Sequence, residues 1–384
     1  SRSGYGEQSR FALRALRSRP DLFDIYIVNI PWGRTGQIIE HNEETDFIKM
    51  SMTKTAEYVQ RQAPFDISLQ ITVPNEFEKI APVNIGYTAG IETTKVAPEW
   101  IDKSNQMVDR LIVVSNHAKK VFENTKYTVK DQAGNDYPNW GLTIPVNVVN
   151  YPVHERGARK NLDNTIKWFV ETFKDDPTAG LVLKTNTAND SIVDKYHTSA
   201  RLNNLLGQYE DKKCKVYLIH GDLSPTELTW LYRHPTMKAL VNIGHGEGYG
   251  LPLFEAAYNG LPLLTVTWSG HMDFICKPNK KGKNFPRVVG VDYDLKPVQK
   301  EAVWPGVIQE DSMWAFAREA SYKRGLKEVL EKEKHNKQVA VALQKHILET
   351  FTAEKMYEQF ISNIYNPSDE EVEWMSSLGE IEIL

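Results

Sequence analysis

Cysteine is nearly absent from this 384-residue chain: Cys214 and Cys276 are the only two. They stand far apart and in no metal-ligand spacing, so neither a disulfide framework nor a zinc site is expected, and a reducing, cytoplasmic setting fits best. No apolar run approaches the roughly 20 residues that a membrane-spanning helix needs. An excess of positive charge is missing as well. Lys and Arg number 46 against 50 Asp and Glu, a formal charge of -4, which argues against a general nucleic-acid coat and leaves room only for a local basic patch. Neither a charged and apolar signal segment nor an initiator Met opens the chain, and residues are expected to precede Ser1. No internal repeat is visible at the level of motif spacing.

What is present is the composition of a globular protein, 41% hydrophobic and 25% charged, at a length that predicts two domains and therefore a cleft. Apolar, β-rich runs at 23–30, 67–73, 83–87, 110–115, 181–184, 215–220, 239–243 and 263–266 alternate with helical patterns at 8–17, 44–62, 98–107, 117–124, 161–174 and 224–232. That alternation predicts an α/β protein with parallel sheets. The turn-rich stretch 131–141 reads as a loop before a last strand at 143–151, and 314–365 reads as helical throughout. Gly4-Tyr5-Gly6 looks like the turn after a first strand, yet no strand precedes it. The text also runs from His154-Glu155 straight into Arg156-Gly157-Ala158-Arg159 where a second domain needs an opening strand. A gap in the chain is expected at both places.

The segment that carries chemistry follows the run at 239–243. It reads His245-Gly246-Glu247-Gly248-Tyr249-Gly250-Leu251-Pro252, continues through Glu255, and closes on Gly260-Leu261-Pro262. Glycines admit left-handed backbone and the close approach of a ligand. Pro252 suits the first turn of a helix and Gly260 its end. The predicted order is strand, glycine loop, short helix, and the free amides at that helix start form a site for phosphate oxygens. Glu247 in the loop and Glu255 about one turn inside the helix would meet sugar and ribose hydroxyls. On the residues alone, a plain strand-to-helix turn with two solvated glutamates competes with this reading.

Taken whole, the segment resembles the donor-binding motif of retaining glycosyltransferases of the family-4 type (glycosyl transferases group 1), in which two glutamates separated by seven residues flank a glycine loop. Glu247 and Glu255 have that separation, and Trp268-Ser269-Gly270-His271-Met272-Asp273 resembles the next strand and loop of the family. The resemblance implies a GT-B fold: two Rossmann-like domains with parallel sheets facing across a cleft, with C-terminal helices packing back. Residues 1–152 would form the acceptor-side domain, 153–344 the nucleotide-sugar-binding domain, 345–366 a helix returning to the first domain, and 367–384 an acidic tail. It further implies that Glu255 holds the ribose, Glu247 the transferred sugar, and Gly248, Tyr249, Gly250 and Leu251 the sugar and diphosphate of a nucleotide-sugar co-substrate, with a UDP-sugar favoured.

Other parts of the chain fit the resemblance less specifically. Lys160 resembles the family cation that neutralises the leaving diphosphate, with Arg159 as its partner and Arg156 as a further candidate; a solvated helix start is the plain alternative. His220-Gly221 falls where related enzymes receive the base through backbone contacts. Gly4, Tyr5 and Gly6 resemble a first glycine loop that faces the donor phosphate. Glu92, in Tyr87-Thr88-Ala89-Gly90-Ile91-Glu92, would orient the acceptor hydroxyl or the donor sugar, or cap the next segment. Asn116 and His117 read as a helix start; His154 and His271 are the remaining cleft histidines.

Charge gathers on the leaving diphosphate in such a reaction, so cations and amides aimed at the phosphates matter more than a nucleophile. No two-carboxylate metal motif is found, and neither metal nor cofactor is expected. The loops also resemble those of glycosyltransferases carried by large tailed phages, some of which glycosylate hydroxymethylated bases in DNA; the setting would then be the host cytoplasm. The basic stretch 277–283 with Arg287 beyond it fits a phosphate backbone, and equally a solvated loop. Transfer to a glycan, lipid or small molecule is the alternative within the class. A non-catalytic sugar-nucleotide or carbohydrate-binding protein is the alternative outside it. The sequence says nothing of oligomeric state.

Overall fold

The computed structural model describes residues 4–30, 42–130, 134–151, 161–187, 190–278, 284–368 and 371. The chain opens with α1 (Gly4–Arg17) and α2 (Glu43–Gln60) and then builds a four-stranded sheet from β1 (Ile67–Ile71), β2 (Val83–Thr88), β3 (Arg110–Val113) and β6 (Val146–Val148), in the order β1-β2-β3-β6. Every pairing in it is parallel. Both faces of the central strands are covered, so β3 reads as an apolar run with Leu111, Ile112 and Val113 all buried, and on β2 Ile85 and Tyr87 are buried together with Asn84 and Thr88. Helices α3 (Pro98–Met107) and α4 (Asn116–Asn124) make the crossovers, and the Ser115 hydroxyl caps α4 by accepting from the Ala118 amide. Between β3 and β6 an antiparallel hairpin projects, β4 (Lys126–Lys130) with β5 (Asp136–Gly141).

The second half repeats the rhythm. Strands β7 (Gly180–Lys184) and β8 (Lys215–Ile219) pair in parallel, and β9 (Leu240–Asn242), β10 (Leu263–Val266) and β13 (Val289–Val291) form a parallel sheet ordered β13-β10-β9. Around them lie α5 (Leu162–Phe173), α6 (Ile192–Leu206), α7 (Pro225–Arg233), α8 (Leu251–Tyr258) and the one-turn α9 (Met272–Ile275). Two further hairpins are antiparallel: β11 (Cys276–Pro278) with β12 (Asn284–Pro286), and β14 (Tyr293–Pro297) with β15 (Met313–Ala317). Three helices end the described chain, α10 (Glu319–Glu331), α11 (Glu333–Thr350) and α12 (Ala353–Ile364). The last of these lies on the first: Phe360 sits against Phe11 of α1 and Tyr87 of β2, with ring centroids 5.3 and 5.2 Å away. One apolar core therefore runs unbroken from Phe11 and Tyr87 through Tyr151 and Tyr249 to Phe254, Leu343 and Phe360.

Four expectations change. Residues 23–30 form no ladder; the Ile27 amide donates to the Thr55 hydroxyl of α2 at 2.8 Å and Tyr26 packs on Tyr58 and Phe65. The turn-rich 131–141 stretch contains β5, whose polar residues suit an exposed hairpin, with Asn139 taking positive φ. The 314–365 stretch opens with β15, because a five-residue run whose apolar residues from Trp314 to Ala317 are all half-buried or buried satisfies a strand as well as a helix turn. Gly4, Tyr5 and Gly6 belong to the first turn of α1.

Candidate functional site

Strand β9 ends at Asn242, and the chain then crosses a glycine loop into α8. Gly250 stands just before the helix at φ 93°, a left-handed conformation that favours glycine, and Pro252 occupies the first turn. A Cβ on Gly248 would come within 2.9 Å of the Ala89 carbonyl oxygen, so the loop lies directly on the segment that follows β2. Gly246 faces the Glu92 carbonyl in the same way. The first amides of α8 have no partner within the helix by construction, and the helix dipole makes them electropositive.

Both predicted carboxylates are drawn inward. Glu247 is 5% exposed and Glu255 4%. Asn242 donates its side-chain amide to Glu247 at 2.7 Å, the Glu247 backbone amide donates to the Ser269 hydroxyl at 2.9 Å, and the Gly270 amide donates to the Glu247 carbonyl at 2.9 Å. The glycine loop is thus zipped to the loop after β10. Ser269 holds φ at 83°, a strained state for a residue with a Cβ, kept in place by that hydrogen bond. Glu255 on α8 accepts from the Tyr232 hydroxyl of α7 at 3.3 Å.

The opposite wall comes from the first sheet. The Tyr5 and Thr88 hydroxyls share a hydrogen bond of 2.9 Å, and burial pushes the Tyr5 phenol up to about 12. Glu92 is half-buried, with its backbone against the glycine loop. Asp273 reaches across: its Oδ2 accepts from the Asn116 backbone amide at 2.8 Å, the Asn116 side chain at 3.3 Å and the Asn150 side chain at 3.0 Å. Burial nevertheless raises its carboxyl above the ordinary range. Beside it, the His117 ring meets the Trp268 ring edge-on at 5.0 Å.

The structure thus brings Tyr5, Thr88, Ala89 and Glu92 together with Glu247, Gly248 and the start of α8. Two histidines turn away from the cleft. The His271 ring is buried and donates from Nε2 to the Val266 carbonyl at 2.7 Å, pinning the end of β10. His220, at the end of β8, pairs through Nε2 with the buried Asp194 carboxylate at 2.9 Å, so only its backbone and that of Gly221, at φ 96°, remain for a ligand. Lys160, Arg159, Arg156 and His154, like the expected gap between Glu155 and Arg159, lie outside the described residues. Among the described residues no group of three or more His, Cys, Asp or Glu side chains is placed to hold a metal ion, and no helix is long and apolar enough to cross a membrane.

Sequence reasoning missed several contributors. Asn242 and Ser269 orient Glu247, and Asn150 joins the Asp273 contact; short polar residues at strand ends give no periodic signal. The β14–β15 hairpin was hidden by the helical reading. It docks on the glycine loop by stacking Trp314 on His245 at 4.7 Å and 13°, while the His245 Nδ1 donates to the Ala315 carbonyl at 2.7 Å. Burial lowers the His245 pKa below its ordinary value, opposed by the hydrogen bond to Ala315.

No protein-family model matches the chain, and no curated protein matches it significantly by sequence. Solved structures do. The chain is similar to OtsA in its apo form, with a TM-score of 0.50 and 10% identity over 93% of this chain and 82% of that one. It is also similar to a UDP-forming α,α-trehalose-phosphate synthase from Burkholderia xenovorans, with a TM-score of 0.49 and 9% identity over 85% and 80% of the two chains. A TarM mutant from S. aureus in complex with fondaparinux, α-GlcNAc-glycerol and UDP matches with a TM-score of 0.45 and 14% identity over 75% of this chain and 52% of that one. The chain therefore spans about half the length of TarM. At such identities the likeness speaks to architecture alone, and the architecture is that of the GT-B fold: an α/β protein of two Rossmann-like halves with parallel sheets.

Proposed function

We propose that the protein is a retaining glycosyltransferase that takes a sugar from a UDP-sugar without a metal ion. The observation that carries this reading is the pair of buried carboxylates, Glu247 and Glu255, set on either side of a glycine loop that opens into α8. In this reading the free amides of α8 receive the diphosphate, whose negative charge grows as the glycosidic bond breaks, so they bind the transition state more tightly than the ground state. Glu255, one turn along the helix, accepts from the ribose hydroxyls, and Glu247, fixed by Asn242, accepts from hydroxyls of the transferred sugar. Lys160 and Arg159 supply the positive charge that a metal would otherwise bring, and the departing phosphate oxygen takes the proton of the acceptor hydroxyl on the same face. The similarity of the fold to OtsA supports the reading without carrying it.

For the acceptor, the reading carried forward is a hydroxymethylated base in DNA, supported by Lys277 on the β11–β12 hairpin and Arg287 just beyond it. Phosphate contacts of this kind make binding fall steeply with salt. Thermal stabilisation by UDP, GDP, ADP and a panel of UDP-sugars tests the donor, since a ligand that binds only the folded state raises Tm. UDP and at least one UDP-sugar are expected to raise it, and sugar release from the latter is expected to continue in EDTA. A protein stabilised by none of these nucleotides is not a UDP-sugar enzyme. One that binds a UDP-sugar but never hydrolyses or transfers it is a binding protein. Transfer to hydroxymethylated but not to unmodified DNA, compared with simple glycans, decides the acceptor.

A further inference from the structure

We infer that Asp273 is a positioning residue, a strut between the two walls that holds the glycine loop in register with the first sheet. The inference rests on the proposed donor site only for its catalytic consequence; the strut itself stands on geometry. One carboxylate oxygen accepts from two segments that belong to the first sheet, at Asn116 after β3 and at Asn150 after β6. The residues are 157 and 123 positions away in sequence. Neither contact is incidental to a local turn. The Asn116 amide is the first of α4, so the carboxylate sits at the positive end of that helix, where a negative charge is favoured. Asn150 is itself held, because its side chain also donates to the Val114 carbonyl at 2.9 Å.

From Asp273 the loop runs back through Ser269 and Gly270, which bond directly to Glu247. A displacement of Asp273 is therefore passed on to the carboxylate assigned to the sugar. Some contacts along this seam are steric, as between Gly248 and Ala89, or edge-on, as between His117 and Trp268. The Asp273 contact is directional and so fixes register as well as separation, as do the backbone and hydroxyl bonds between Thr94 and Met313 farther along the seam, but it is the one tied through Ser269 and Gly270 to Glu247. The groups that face it are Tyr249, Cys276 and Lys120. Its charge is costly to bury, since burial outweighs three hydrogen bonds in setting its pKa. A group that raises the energy of the fold while joining two walls of a cleft is placed for function rather than for stability.

Asp273→Asn keeps the shape and removes the charge; Asn150→Ala removes one arm and covers the case in which Asp273→Asn fails to fold. Hydrogen exchange of the unliganded proteins reads the strut without any donor. Both variants are expected to exchange the amides of 115–118 and 246–251 roughly tenfold faster, with the rest of the first sheet unchanged. With UDP and UDP-glucose as probes, the Kd for UDP is expected to stay within about twofold while kcat for UDP-glucose hydrolysis falls about tenfold or more, because a small misplacement of reacting groups costs rate before affinity. Unchanged exchange in both segments overturns the strut. Faster exchange with parental kcat leaves a merely structural contact and overturns the positioning role. A parent that binds no UDP defeats the donor reading instead, and the exchange data still judge the strut.

Discussion

At the scale of single residues, Glu255 is the sharpest test of the donor reading. Glu255→Gln is expected to weaken UDP binding about tenfold, the value of one hydrogen bond to a charged acceptor, with kcat little changed. Lys160→Ala is expected to do the reverse, lowering kcat with little effect on affinity, because the charge it meets grows only in the transition state. Titration calorimetry beside steady-state kinetics separates the two. His117 makes a prediction about pH. Burial, opposed by its hydrogen bond to the Thr93 carbonyl, pulls its pKa from about 6.5 down to about 4. Above pH 6.5 it is neutral folded or unfolded and contributes nothing. Between there and pH 4 the unfolded chain takes up a proton that the folded one refuses, so stability falls by up to about 3 kcal/mol. His117→Gln should flatten that loss in urea titrations run from pH 7 to pH 4; an unchanged slope would contradict it. Glu247 and Glu255 were legible in the sequence because their spacing across a glycine loop is a local pattern. Asn242, Asn150 and the inward turn of His220 and His271 were not, because their partners come from distant segments.

At the scale of elements, the glycine loop and α8 form a unit whose shape leaves no room for a side chain. Alanine at Gly250 must adopt left-handed backbone and bring its Cβ within 3.0 Å of the His271 Cβ. Gly306, at φ 77° with nothing nearby, supplies a control that carries the backbone penalty alone. Gly250→Ala is expected to lower stability by more than the roughly 1–2 kcal/mol that the left-handed state costs, and Gly306→Ala by about that amount only. Urea midpoints of the two variants compare them directly. Apart from β13, the parallel strands were readable from their apolar runs, and α4 and α7 from the helical patterns between them; in the structure Ser115 and Ser224 cap those two helices, the latter with Glu227 completing a capping box. Strand β15 was not readable, since a five-residue run without a turn signal satisfies either period, and its place is decided by pairing with β14 and by Trp314 stacking on His245.

At the scale of the whole molecule, two halves share one core. Phe11, Tyr87, Tyr249, Phe254, Phe351 and Phe360 lie in a single apolar cluster, so the halves are expected to melt together, in one calorimetric transition whose enthalpy matches the van't Hoff value. Two resolved transitions would show that the cluster does not couple them. The broad α/β plan was visible in the sequence as a βα rhythm, whereas the seam was not, because it is written in pairs such as Asp273 with Asn116 and Thr94 with Met313 that share no local pattern. Helix α12 also has a meaning in time. It is the last described helix, yet it covers Phe11 on the first one and Tyr87 on β2. During synthesis the first half, complete at Tyr151, therefore leaves the ribosome with that face bare, and it must wait for about 210 further residues before Phe360 arrives to cover it. The seam beside it closes only through contacts of long sequence separation, which are slow to form. A chain cut short anywhere before α12 is therefore expected to expose the apolar face of Phe11 and Tyr87 that α12 covers in the full structure.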